Sequence, residues 1–294
     1  MHHEYVLDMN SEHFELHLTV GEPILALTLL SSHCELSKQQ LKLAMKKGAV
    51  WVTSGQGHTQ RLRRAKKMLK LGDSLHFYFD KAVSEGVALP SELVEDFGDY
   101  SVWNKPYGVY SQGSKWGDHC TIARWSEQNL KPERPAFVVH RLDRATSGLI
   151  LLAHSKHAAQ QISQLFAERR LEKGYRALVH GTFPCGTQTV NQPIDDRSAC
   201  SHFDVLRYDP EGDFSLLDVG IETGRKHQIR RHLAGLDFPI VGDRLHGIES
   251  SVNTGLDLQL CAYRLRFVCP LTGESREFEL PIEKQPWSEF INAE

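Results

Sequence analysis

Alternating apolar and polar residues predict β-strands near both ends of the chain. Close to the N-terminus the alternating apolar residues, which indicate an edge strand, are Phe14, Leu16, Leu18 and Val20. Residues 258–267 alternate in the same way, and residues 278–281 predict a return strand after a turn. A period of two favours strands that pack one face against a core.

A continuous apolar run at residues 149–153 predicts a strand of another kind, buried within a sheet. Helical spacing of apolar residues predicts a short buried helix at 24–30 and a longer one at 157–170. A third helix is expected between Ser37, a good N-cap residue, and Gly48, which is placed to end it. Strands and helices in this mixture indicate an α+β protein.

The length of 294 residues favours two domains over one, and 40% hydrophobic residues are enough for large cores. We expect a small α+β domain at residues 13–80 and a larger domain at 99–294. Residues 81–98 show little periodicity and include Pro90 and several acidic residues, so they are interpreted as a linker. We expect a monomer.

Charge is distributed unevenly, although the net charge is only −3. Residues 37–72 contain ten lysines and arginines and no acidic residue, which is typical of a phosphate-binding surface. The alternative is a solvated basic face without a ligand.

Cysteine and histidine spacing gives no sign of a metal site or a disulfide framework. The six cysteines include no C-x-x-C pair, and the sixteen histidines do not cluster at ligand spacing. Reduced thiols indicate the cytoplasm. No signal peptide and no apolar run of membrane-spanning length are evident, so we expect no membrane association.

Three polar motifs carry the candidate chemistry. In the first, at 140–152, Asp143 stands on a turn between two arginines and directly before the buried strand. The second, at 171–181, places Tyr175 at the start of a strand. The third, at 222–233, predicts a helix that opens at Gly224, where free backbone N–H groups would bind phosphate beside Arg225 and His227.

Together these motifs resemble those of the RluA-type RNA pseudouridine synthases. The resemblance covers residues 99–285, including a strand that runs into an Asn-Lys-Pro-x-Gly turn at 104–108, and His246 stands where the family more often has an aromatic residue. Residues 23–80 resemble an S4-type RNA-binding domain. The resemblance implies a catalytic domain with a mostly antiparallel mixed sheet flanked by helices, plus the small S4-like domain.

The function implied is isomerisation of specific uridines in structured RNA, either ribosomal RNA or tRNA, without metal or organic cofactor. Asp143 would be the essential carboxylate, kept ionised by an ion pair with Arg230. Tyr175 would stack on the target uracil, and Leu260 would pack against its other side.

Further RNA contacts are implied around the site. Arg141 would enter the RNA stack in place of the flipped nucleotide. Arg225 and His227 would bind phosphate, as would Lys46 and Lys47 of the first domain. The segment at 110–135 is expected to be a mobile loop and short helix that grips RNA.

Three other functions are compatible with the residues. A catalytically silent RNA-binding or ribosome-associated protein would need none of the site residues. A nucleoside or RNA hydrolase would use Asp143 with His140 or His227, and with Asp243 as the nearest second carboxylate. A metal site built from histidines is disfavoured by their spacing.

Overall fold

The computed structural model describes residues 4–10 as backbone, and residues 12–247 and 255–287 in full. The chain forms two compact units. The first extends to Ala88 and also includes Gln112–Trp125, while the second comprises Leu89–Ser111 and the chain from Ser126 onward. The predicted domain at 99–294 is therefore wrong in one respect, because residues 112–125 belong to the first unit.

The first unit contains a five-stranded antiparallel sheet in the order β1-β2-β7-β4-β5. Its strands are β1 (Glu4–Asn10), β2 (His13–Thr19), β4 (Val50–Thr53), β5 (Thr59–Arg61) and β7 (Ser74–Asp80). Two short strands, β3 (Ile24–Leu25) and β6 (Met68–Leu69), pair separately. The strand predicted at the sheet edge, β2, lies inside the sheet because β1 covers it.

Three helices complete the first unit: α1 (Ala26–Ser31), α2 (Lys38–Lys47) and α3 (Lys81–Glu85). Helix α2 has the predicted ends. Ser37 and Gln40 form a reciprocal capping box, and Gly48 closes the helix with φ 86°. Leu41, Ala44 and Met45 of α2 pack into the core beside the apolar face of the sheet.

The second unit is built on a ten-stranded sheet with the path β13-β14-β15-β12-β16-β11-β9-β8 and with β10 and β17 alongside. Its strands are β8 (Glu92–Asp96), β9 (Tyr100–Lys105), β10 (Phe137–Val138), β11 (Ser147–Ala153), β12 (Leu171–His180), β13 (Gln188–Val190), β14 (Ser201–Asp209), β15 (Phe214–Ile221), β16 (Leu260–Val268) and β17 (Ser275–Glu279). Among the paired strands that the structure describes, only β11 and β16 are parallel. The predicted mostly antiparallel mixed sheet is confirmed.

The remaining helices are α4 (Ile122–Asn129), α5 (Lys156–Ala167), α6 (Gln228–Gly235) and a 3-10 turn at Ile282–Lys284. Ser155 caps α5, whose apolar side packs with β11 in the main core of the second unit. Strand β11 is buried along Gly148–Ala153, as its unbroken apolar run predicted.

Residues 81–98 are not an irregular linker as predicted. They contain α3, which belongs to the first unit, and β8, which pairs with β9 in the second. Low periodicity was misleading because β8 is exposed at a sheet edge and α3 has no buried residue. Within the part of the chain that the structure describes, no helix is long and apolar enough to cross a membrane.

Candidate active site

Asp143 lies on a loop whose backbone is held by hydrogen bonds before and after this residue, whereas its side chain is not held by any hydrogen bond within the described part of the chain. The Ser111 hydroxyl donates to the Leu142 carbonyl oxygen at 2.6 Å, and Leu142 N donates back to it at 3.0 Å. Thr146 N donates to the Asp143 carbonyl oxygen and closes the turn. The Asp143 carboxylate is 33% exposed and makes no hydrogen bond with any residue that the structure describes. It is thus positioned by its backbone and available to a substrate.

Gly148 brings this loop close to the centre of the sheet. It has φ 111°, and a Cβ added there would lie 2.3 Å from the Ala262 carbonyl oxygen. This close approach lets β11 pair with β16, with Gly148 opposite Ala262. Ala262 is in turn opposite Tyr175 of β12. Three neighbouring strands therefore carry the Asp143 loop, Leu260 and Tyr175.

Tyr175 and Leu260 supply apolar surface on these strands, with side chains that are only 6% and 3% exposed. Burial, together with the nearby charge of Asp143, raises the pKa of Tyr175, so its hydroxyl is protonated at neutral pH. The hydroxyl makes no hydrogen bond with any described residue, which is unusual for a buried tyrosine. An aromatic face beside a carboxylate suits a planar, uncharged base.

Lys105 is a buried cation next to this site that the sequence analysis did not assign. Its side chain is inaccessible, and its Nζ donates to the carbonyl oxygens of Val109 at 2.9 Å and Pro106 at 3.2 Å. The Arg144 carbonyl oxygen lies at 3.4 Å. Burial lowers the pKa of Lys105 to about 7, against the opposing effect of the Asp143 charge. Lys105 therefore links the Pro106–Val109 turn to the loop that bears Asp143.

Arg230 is in the site region, but its predicted ion pair with Asp143 is wrong. Its guanidinium binds Asp243 in a bidentate pair, with Nε and Nη2 at 2.7 and 2.6 Å from the carboxylate. Both side chains are almost completely buried, at 4% and 1% exposure. The carboxylate also accepts the backbone N–H groups of Leu245 and His246.

These contacts exclude Asp243 as a free second carboxylate. Burial acts to raise its pKa, but the hydrogen bonds from Arg230 and the backbone overcome burial and leave the pKa of Asp243 lowered. A general acid needs a raised pKa and access to substrate. His140 is excluded as well, because burial lowers its pKa to about 3 and its Nε2 accepts Leu151 N–H. The hydrolase alternative therefore loses His140 and Asp243 and keeps only His227 as a partner for Asp143.

His227 is the charged or chargeable side chain nearest to Asp143, with its Nε2 3.9 Å from the carboxylate. Burial lowers the pKa of His227, while the Asp143 charge raises it, and the net shift is downward. Its Nδ1 lies 2.9 Å from His246 Nε2, so the two imidazoles share a hydrogen bond. His227 therefore lies between Asp143 and His246, with its pKa lowered from the ordinary imidazole value.

The helix predicted to open at Gly224 begins later, at Gln228, with His227 as its N-cap residue in the left-handed region at φ 55°. The Gln228 side chain already accepts Arg225 N–H at 3.0 Å and the Thr223 hydroxyl at 2.7 Å. Arg225 Nε donates to the Ser198 carbonyl oxygen. The Arg225 backbone amide and guanidinium, which were expected to bind phosphate, are thus already engaged by the protein's own groups.

Arg141 is exposed on the Asp143 loop, which leaves its guanidinium available to RNA. In the first unit, Lys46 is exposed in the last turn of α2, whereas Lys47 is half-buried and donates to the Ser84 carbonyl oxygen. Fewer cations are unpaired on the surface than the ten lysines and arginines counted at residues 37–72. Arg61 and Arg63 both pair with Asp118, which removes two of the ten cations from the free surface.

Comparisons with known proteins agree with this geometry. A family model described as RNA pseudouridylate synthase matches residues 99–235, a range that includes Asp143, Tyr175 and Arg230. An uncharacterized RNA pseudouridine synthase of Aquifex aeolicus is 27% identical over 92% of this chain and 93% of its own length. A tRNA pseudouridine synthase C of Vibrio parahaemolyticus is 32% identical over 64% of this chain and 88% of its own.

Among solved structures, the human RNA pseudouridylate synthase domain containing 1 matches with a TM-score of 0.57 and 25% identity. The match covers 67% of this chain and 85% of the human one.

Proposed function

Since this chain belongs to the RNA pseudouridine synthase family, we propose that it isomerises specific uridines of ribosomal RNA or tRNA, with Asp143 as its essential carboxylate. The observation that carries the assignment of Asp143 is its combination of a fixed backbone and an unengaged carboxylate. Of the other candidates for a hydrolase, Asp243 is bound by Arg230 and His140 is buried and accepts a backbone N–H group, so only His227 lies beside Asp143.

The chemistry proposed needs no cofactor. The N1–C1′ bond of uridine breaks, the detached uracil rotates, and C5 bonds to C1′. The hydrogen on C5 leaves as a proton and N1 takes up a proton, so the product is an isomer of the substrate. The step involves no net oxidation or hydrolysis. An ionised Asp143 either adds to C1′ or removes a proton from C2′, and both routes begin from the same carboxylate.

The residues around Asp143 have separate parts in this proposal. Tyr175 stacks on the target uracil, and its protonated hydroxyl, free of protein partners, is available to move a proton. Leu260 packs on the other side of the base. Arg141 enters the RNA stack where the flipped nucleotide was. Stacking of one base on an aromatic ring contributes about 1–3 kcal/mol.

The buried cation that interacts with Asp143 is Lys105 and not the predicted Arg230. Lys105 is electrostatically coupled to Asp143, whereas Arg230 is neutralised by Asp243. Arg230 is therefore proposed to act as a positioning residue, since its pair with Asp243 fixes the loop of His246, the partner of His227.

The first unit is proposed to be an S4-like RNA-binding domain that increases affinity for structured RNA. Its support is the group of lysines along one helix, all of them exposed: Lys38, Lys42 and Lys46. Such side chains bind phosphates without reading sequence. The name of the Vibrio relative supports tRNA as substrate, and the S4-like domain is equally suited to ribosomal RNA.

Tritium release tests the proposal directly. Unmodified ribosomal RNA and tRNA, each labelled with tritium at C5 of uridine, are incubated separately with wild-type protein and with Asp143→Asn. We expect the wild type to release tritium from one RNA class and the variant to release none. Release of free uracil would establish a hydrolase instead. Binding without release from either RNA would favour the catalytically silent alternative.

A further inference from the structure

A cysteine, a histidine and a glutamate converge at one end of the β14–β15 pair in the second unit. Cys200 Sγ lies 3.5 Å from His202 Nε2, which lies 2.9 Å from Glu222 Oε1. All three potential ligand atoms are within 4.8 Å of one another. Tetrahedral coordination places a metal about 2.3 Å from sulfur and about 2.0–2.2 Å from nitrogen and oxygen, so ligand atoms about 3.3–3.5 Å apart fit one ion.

The backbone that carries these side chains is fixed independently of any ion. Glu222 N donates to the Cys200 carbonyl oxygen at 3.2 Å, and Cys200 N donates to the Thr223 hydroxyl at 3.1 Å. The Gln228 side chain also donates to the Cys200 carbonyl oxygen at 2.9 Å. Because the backbone is already ordered, binding requires adjustment of side chains alone.

His202 has the outer contact that metal-binding histidines have in proteins. Its Nδ1 lies 3.0 Å from the Thr189 hydroxyl, which is opposite it on β13. When Nδ1–H donates to Thr189, the lone pair of Nε2 points at Cys200 and Glu222. Such a partner fixes the tautomer and raises the basicity of the ligand nitrogen.

We propose that Cys200, His202 and Glu222 bind one Zn²⁺ ion, with water in the remaining position. Thiolate, imidazole and carboxylate are the donors that zinc takes, and a thiolate disfavours Mg²⁺ and Ca²⁺. On binding, the Cys200 thiol loses its proton to solvent, the proton on His202 moves to Nδ1, and the Glu222–His202 hydrogen bond is exchanged for coordination. One proton is released in total.

The positive charge of Arg169 acts on Glu222 and opposes a cation at this cluster. This favours a reversible site over a permanent structural one.

The position of this site connects it with the RNA-modifying centre. Glu222 directly precedes the Thr223–His227 segment, which holds Arg225 and places His227 beside Asp143. An ion held by Glu222, directly after β15, and by Cys200 and His202 at the start of β14 would anchor the Thr223 end of that segment. Bound zinc would thus stiffen the segment without touching substrate.

Cobalt titration of the full-length protein provides the test, because Co²⁺ bound to a thiolate gives a near-ultraviolet charge-transfer band and visible d–d bands. We expect one equivalent of Co²⁺ to produce both and Zn²⁺ to remove them. Cys200→Ser should abolish the charge-transfer band. Glu222→Gln should weaken binding. Matched controls outside the cluster, Cys185→Ser and His157→Gln, both exposed, should behave as wild type.

A second pair of variants tests whether the hydrogen bond from Thr189 to His202 supports metal binding. Thr189→Val should weaken Co²⁺ binding roughly 10- to 100-fold, as loss of an outer-shell partner does, while Thr189→Ser should restore it. Absence of the charge-transfer band in the wild type, or its persistence in Cys200→Ser with loss in Cys185→Ser, would overturn the proposal. Circular dichroism of each variant shows whether it is folded.

Discussion

Two aspartates of the second unit, Asp143 and Asp243, illustrate opposite uses of a carboxylate. Asp243 is 1% exposed and accepts two bonds from Arg230 and two from backbone N–H groups. Asp143 is 33% exposed and accepts none from the described residues. One carboxylate is completely engaged by the fold, and the other is left for a substrate.

The contrast distinguishes a carboxylate that stabilises the fold from one that is available for reaction. A buried ion pair that is fully hydrogen-bonded holds two segments in place, but its charge is not available for reaction. A carboxylate on a fixed loop without partners contributes little to stability and retains its capacity to react. The same arginine was expected to pair with Asp143, and the structure shows it paired with Asp243 instead.

The largest expected effect is the loss of activity in Asp143→Asn. We expect turnover to fall by roughly 10³-fold or more, as for removal of a group that acts on the reacting atoms. The free energy of unfolding should change by no more than about 1 kcal/mol, because the carboxylate has no hydrogen bond with the described residues to lose and only a 3.9 Å contact with His227 and an interaction with Lys105. Tritium release and urea unfolding, measured on the same preparation, check the two statements. A variant that unfolds more easily would show that Asp143 has a structural role.

Asp243→Asn should have the opposite effect, with a large loss of stability and a smaller loss of activity. Removing one member of a buried pair leaves Arg230 as an uncompensated charge and should lower the free energy of unfolding by about 3–5 kcal/mol. Under conditions where the variant is folded, Asp143 remains present and part of the activity should remain. The double variant Asp243→Leu/Arg230→Met removes both charges and is expected to recover much of the lost stability, which a double-mutant cycle will quantify.

Lys105 allows a test by pH. Its pKa is about 7 in the folded protein and 10.5 without burial, so between these values the unfolded chain binds one proton more. Stability therefore increases with pH in that range, and the contribution is lost as pH falls through about 7. From about pH 7 to pH 9 the wild type should gain at most about 3 kcal/mol over Lys105→Met, at about 1.4 kcal/mol per pH unit.

The same experiment in Asp143→Asn refines the comparison between the two aspartates. Asp143 raises the pKa of Lys105, so its neutralisation should move the stability rise to lower pH. Asp243→Asn should not move it. A rise that does not respond to Asp143 would show that the two groups are not coupled.

The sequence predicted the family and the main sheet because both depend on local patterns. The three motifs identified an RNA pseudouridine synthase, which the comparisons confirm, and the run at 149–153 identified a buried strand. Helix α2 was predicted to the residue because its ends are specified by Ser37 and Gly48. Each of these features is encoded within a few neighbouring residues.

The predictions that were wrong concern contacts between residues that are far apart in the chain. Arg230 was assigned to the distant Asp143, but it pairs with Asp243. The segment 112–125 belongs to the first unit, where Asp118 pairs with Arg61 and Arg63, which are more than 50 residues away in the chain. A pattern in sequence shows which charges exist, but only the fold shows which are already paired.

The smallest expected effect concerns the basic block of the first unit, where paired and unpaired cations can be compared. Lys46 is exposed, whereas Arg63 is paired with Asp118 and donates to the Lys46 carbonyl oxygen. Lys46→Gln should weaken RNA binding slightly and reduce the slope of log affinity against log salt by about 1, because one phosphate contact is lost. Arg63→Gln should leave the slope unchanged and instead lower thermal stability. If the slope falls equally in both variants, Asp118 does not hold Arg63 in the presence of RNA, and paired charges in this unit are exchanged for phosphate on binding.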